Sequence, residues 1–96
     1  MCKVSELNER SRGMVNGKSF EEVCFESITF FESFAGILEE YKKNGSFDMT
    51  DRQNMVEMIA SGQIIALMLA ETFGIKDKEV CEAGCEIFDR IDHKVD

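Results

Sequence analysis

Residues 50–73 read TDRQNMVEMIASGQIIALMLAETF, and this stretch decides the fold. It carries no charge between Glu57 and Glu71, and the 13 residues from 58 to 70 hold only two polar side chains, Ser61 and Gln63. A helix that is apolar on nearly every face has to be enclosed on nearly every face, so the stretch predicts the central helix of a small bundle. Thr50-Asp51-Arg52-Gln53 reads as its capping box and Gly74 as its stop. Glu57, Ser61 and Thr72 mark the one stripe left for water, yet Ile64 and Met68 fall on that same stripe. Gly62, Ala66 and Ala70 recur every fourth residue, a ladder that leaves room for large side chains of a neighbouring helix.

Upstream, Ser19-Phe20-Glu21-Glu22 is a second capping box, in which the serine hydroxyl accepts from the Glu22 amide and the Glu22 carboxylate reaches back. Phe20, Val23, Cys24, Ser27, Phe31, Phe34, Ala35, Leu38 and Tyr41 then share one wide face, opposite Glu22, Glu26, Glu32, Glu39 and Glu40. Lys42 and Lys43 suit the last turn of a helix, and Asn44-Gly45 supplies a left-handed stop. Phe25 lies outside this register, beside Glu21 and Glu32 on the wheel, and so predicts a contact beyond the monomer.

Downstream, Asp77 reads as an N-cap, followed by the stripe Val80, Gly84, Ile87, Phe88, Ile91 and Val95. The opposite face, Glu79, Glu82, Glu86, Asp89, His93 and Asp96, is a nearly continuous acidic ridge that Arg90 and Lys94 relieve along one margin. The expected fold class is therefore all-α: a small antiparallel three-helix bundle with helices at about 19–43, 50–73 and 77–95, forming one domain over 19–96. Residues 1–18 read as a partly flexible N-terminal arm, in which 5–11 could make a short extra helix before Gly13, Asn16 and Gly17 break it. Ile64, Met68 and Phe25, left over by the core register, predict self-association as a homodimer.

Composition narrows the function. The 96 residues are 44% hydrophobic and 31% charged, as in an ordinary folded domain, and the net charge of −8 opposes direct binding to nucleic acid or an anionic membrane. The N-terminus has no apolar leader, and no uncharged run reaches the ~18 residues of a membrane span, so the expected setting is the cytoplasm with free thiols. Cysteines stand at 2, 24, 81 and 85. Cys81 and Cys85, four apart on a helix, could share a soft metal such as zinc or copper, with Cys24 or Cys2 completing the set; paired Cys-x-x-Cys knuckles are absent. Acidic neighbours of Cys81 disfavour a reactive thiolate. His93 is the single candidate base, and there is no phosphate loop or EF-hand spacing.

These features predict a non-enzymatic protein with no cofactor: a regulator or inhibitor whose ridge of Glu79, Glu82, Glu86, Asp89 and His93 meets a basic protein surface. A phage- or plasmid-encoded inhibitor occupying a nucleic-acid-binding groove is one variant. The alternatives are a soft-metal carrier or sensor using Cys81, Cys85 and Cys24, and a small-ligand-binding oligomer in which Phe25 and Tyr41 stack on a base near Lys42, Lys43 and Arg52.

Overall fold

The computed structural model describes residues 3–94, with side chains through His93. Cys2, Val95 and Asp96, which the sequence reading includes, lie outside that range. Among the described residues the chain is all-helical: α1 (Val4–Gly13), α2 (Phe20–Asn44), α3 (Met49–Thr72) and α4 (Asp77–Lys94).

Local chemistry sets most of the helix ends. Ser19 Oγ accepts from the Glu22 amide at 3.1 Å, and the hydroxyl in turn donates to the Glu22 carboxylate at 3.3 Å. At the other end of α2, Gly45 adopts φ +65° and its amide donates to the Tyr41 carbonyl, the single-bond left-handed stop. α3 starts earlier than its sequence suggests. Asp48, not Thr50, is the N-cap: its carboxylate accepts from the Asp51 amide at 2.9 Å while the Asp51 carboxylate accepts from the Asp48 amide at 3.1 Å. Aspartate outranks threonine as a cap, so the box slides two residues upstream. Gly74, at φ +69°, ends α3 in a Schellman turn, with Ile75 N–H on the Ala70 carbonyl and Gly74 N–H on the Glu71 carbonyl. At the start of α4 it is the Glu79 carboxylate that closes back on the Lys76 amide at 2.7 Å, so Asp77 is the first helical residue rather than the cap.

α3 is the hub. α2 runs antiparallel to it: the Phe20 ring meets Phe73 edge-on at 5.7 Å, the Tyr41 hydroxyl donates to the Asp51 carbonyl at 3.4 Å, and Phe30 packs over Gly62. A Cβ placed on Gly62 would lie 3.5 Å from Phe30 Cζ, which is ordinary contact, so the small residue receives the ring as its spacing suggests. Ala66, the next rung, is exposed.

The N-terminal segment holds a packed helix. α1 lies against α3, and its buried Ser11 hydroxyl donates to the Leu7 carbonyl at 2.7 Å. Arg12 locks the end of α1 to the α3–α4 turn: Nη1 donates to Glu71 Oε1 at 3.1 Å and to the Ile75 carbonyl at 2.9 Å, and Nη2 to Asp77 Oδ1 at 2.6 Å. Lys18 then bonds both oxygens of the Glu26 carboxylate at 2.7 Å, fastening the connection to α2.

Packing on α3 changes the part played by Met68. α2 lies over the Gly62 side of α3, and α1 is the other helix that packs on α3 among the described residues. Met68 is 2% exposed and Ile64 half-buried. Of the two, Met68 is already buried within the chain, which a wheel of α3 alone cannot show. α3 is also long and apolar enough to cross a membrane by length and composition. Its uncharged run of 13 residues, however, spans only about 20 Å of a ~30 Å hydrocarbon core.

Among the described residues α4 packs against none of the other helices, so the expected three-helix bundle is not closed by its own third member. Openness is measurable. Buried hydrophobic residues number three among those described, Val23, Met68 and Ala70. The radius of gyration is 16.0 Å, where a compact chain of this length has about 12.5 Å. The accessible surface is 7724 Å², where a compact monomer of 10.9 kDa has roughly 5,600 Å².

Candidate functional site

The exposed side chains fall into two apolar faces and one acidic one. On α2, the residues buried or half-buried toward α3 are Val23, Ser27, Phe30, Phe34, Ile37 and Tyr41. A quarter to a third of a turn away runs a second row, Cys24, Ile28, Phe31, Ala35 and Leu38, at 4-3-4-3 spacing; all but half-buried Cys24 are exposed. On α3, Met55, Met58, Gly62, Ile65 and Leu69 form a half-buried row whose Gly62 meets Phe30 of α2, while Val56, Ile59 and Ala66, with Gln63 among them, form an exposed row. At about 100° per residue, both exposed rows are rotated in the same sense from the α2–α3 contact line. Because the two helices are antiparallel, that rotation brings both rows to one side of the pair. The result is an apolar platform two helices wide.

The second apolar face belongs to α4. Val80, Ile87, Phe88 and Ile91 form its stripe and all are exposed, Phe88 at 67%. Turned away from this stripe are Glu79, Glu82, Glu86, Asp89 and His93, every one exposed, in steps of three and four residues over about 21 Å. The ridge thus exists as a surface. Glu79 is engaged at the helix start, and Glu82 lies 3.9 Å from Lys78 in an exposed pair of little energetic weight. Beneath the ridge, Asp77 first and then Glu71 hold the Arg12 guanidinium above its ordinary pKa. That ion-pair cluster, invisible to helical periodicity because its members are 59 and 65 residues apart, ties the end of α1 to the end of α3 and the start of α4.

Phe25 is 71% exposed, as its position off the core register suggests, and sits beside Glu21 and Glu22 rather than on the platform. Cys81 and Cys85 are exposed free thiols on α4, and Cys24 is half-buried on α2, which α4 does not approach. The chain therefore does not bring the three cysteines together, and no group of three or more metal-ligating side chains forms among the described residues. Phe25 and Tyr41, offered above as a stacking pair, stand 16 residues apart on α2, about 24 Å along it, and cannot hold one base between them within a chain. Tyr41 instead borders a cleft with Glu40, Asp51 and Glu57. Partial burial, then the charges of Asp51 and Asp48, push its phenol above the ordinary value, and the same carboxylates would repel a phosphate.

Comparison of the chain with family models, curated proteins and solved structures finds no match.

Proposed function

We propose that this chain is a non-enzymatic, cytoplasmic protein-interaction subunit that works as a homodimer and presents the acidic ridge of α4 to a basic protein surface, as a regulator or inhibitor does. The observation that carries the reading is the state of α4: an amphipathic helix standing clear of the fold, with its carboxylates in solvent and its start tied to α1 by Arg12. A ridge of Glu79, Glu82, Glu86 and Asp89 offers about 15 Å of negative potential, enough to track a basic helix or line a basic groove. Complementary charge of this kind speeds encounter and selects partners more than it adds affinity. The dimer is supported by the exposed apolar side chains, among them Ile28, Phe31, Leu38, Val56 and Ile59 on α2 and α3 and Val80, Ile87, Phe88 and Ile91 on α4.

The test is affinity purification from the native host with two baits, the unaltered protein and the triple variant Glu82→Lys, Glu86→Lys, Asp89→Lys. All three positions are exposed, so the variant should fold. The expected result is a protein with a lysine- and arginine-rich surface that the unaltered bait retains, that salt releases, and that the variant fails to hold. Identical sets of proteins on both baits, or no protein on either, would overturn the proposal.

A further inference from the structure

The chain carries an apolar helix stripe without a seat and an apolar seat without a helix. The stripe runs from Val80 to Ile91, about 17 Å, and the platform offers a row from Val56 to Ala66 on α3, about 15 Å, beside one from Cys24 to Leu38 on α2, about 21 Å. The dimensions match. Within one chain the joint between α3 and α4 lies between them. Its Schellman bonds, and the Arg12 bonds to the Ile75 carbonyl and to Asp77, form the joint from which α4 departs, and among the described residues α4 packs on neither α2 nor α3.

We infer that α4 is an exchanged arm: in a twofold dimer, the Val80–Ile87–Phe88–Ile91 stripe of each copy seats between α2 and α3 of the other. The three-helix bundle that the sequence calls for is then completed in trans. This inference rests on the dimeric reading proposed above and specifies its interface.

Area supports the choice of a second copy as occupant. A surplus of roughly 2,100 Å² per chain amounts to about 4,200 Å² for two, within the 2,000–5,000 Å² range of obligate homodimers. Exchange is also self-limiting, since a twofold operation fills both seats and leaves no free arm to propagate. Charge sets the remaining condition. Two chains of net charge −8 repel, and exchange turns the acidic ridges outward because each lies opposite the stripe that is buried.

The experiment measures mass by light scattering on the full chain, on Phe88→Glu in the arm, on Phe31→Glu in the platform, and on an equimolar mixture of the two variants. The unaltered protein should have twice the 10.9 kDa chain mass. Each variant alone should run as a monomer, with Phe88→Leu retaining the dimer. The mixture should recover dimer, because the intact arm of the Phe31→Glu chain finds the intact platform of the Phe88→Glu chain. A dimer that survives Phe88→Glu, or variants that stay monomeric when mixed, overturns the exchange while leaving the dimeric reading standing. A monomeric unaltered protein overturns both. If that monomer is compact, α4 closes on its own chain; if it sediments with phosphatidylcholine vesicles, the apolar faces belong to lipid.

Discussion

Met68→Ala separates a core role from an assembly role at the residue where the sequence is most misleading. Met68 is 2% exposed on α3, and only Val23 and Ala70 join it as buried hydrophobic residues among those described. Truncating a buried methionine costs about 2–5 kcal/mol, through lost transfer energy and the cavity left behind. A domain of this length has a total stability of only about 5–14 kcal/mol, so the loss is a large fraction of the whole. At a urea dependence of about 1.5 kcal/mol per molar, a 3 kcal/mol loss moves the unfolding midpoint down by roughly 2 M. The assay is urea unfolding by circular dichroism at fixed chain concentration, with Val4→Ala on the exposed side of α1 as a control that should shift the midpoint by less than about 0.5 kcal/mol. The reasoning is refuted if Met68→Ala leaves the midpoint where it was and instead weakens association, for then the side chain belongs to an interface.

Further predictions use the joints and charges. Gly62→Ala should stabilise the fold by about 0.5–1 kcal/mol, since α3 gains helix propensity and the new methyl meets Phe30 at an ordinary distance, whereas Gly74→Ala should destabilise it by about 1–2 kcal/mol because φ there is left-handed; thermal unfolding reads both. Arg12→Gln should raise amide exchange throughout α1, because the bonds that tie its end to the α3–α4 turn are lost. The single tyrosine makes a tyrosinate absorbance titration unambiguous: Tyr41 should ionise above 10.0. A folded-state value above the unfolded one means that its contribution to stability is fully present below pH 10 and is lost as pH rises through the folded value, a loss absent in Tyr41→Phe. Salt should act oppositely on the two proposed associations, tightening a dimer of like-charged chains and weakening a complex with a basic partner; sedimentation at low and high ionic strength separates them.

What could be read from the sequence follows the range of the forces involved. Ser19, Gly45 and Gly74 act on backbone groups within a few residues, so the start of α2 and the ends of α2 and α3 are legible, and the miss at Asp48 is a contest between two adjacent caps. The central place of α3 was legible because an apolar circumference admits no other. α1 was obscured because its docking depends on Arg12 finding carboxylates about sixty residues away and on a stripe too short to stand out. The acidic ridge was legible from spacing alone. The seat of α4 was not, because an amphipathic stripe requires a cover but carries no record of which copy supplies it. The exposed row on α2 was equally hidden: Phe31, Ala35 and Leu38 share a wheel face with Phe34 and Tyr41, and only the packed structure divides that face into a half turned to α3 and a half left open.

Amide hydrogen exchange across α4 as a function of chain concentration tests the central claim most directly. An 18-residue helix with no packed neighbour is marginal in water, so its amides report whether a second copy covers it. The account predicts strong protection of Val80 through Ile91 at high concentration that disappears on dilution, together with protection around Phe31 and Ile59. Rapid exchange of α4 at every concentration, or protection that dilution does not change, would contradict it.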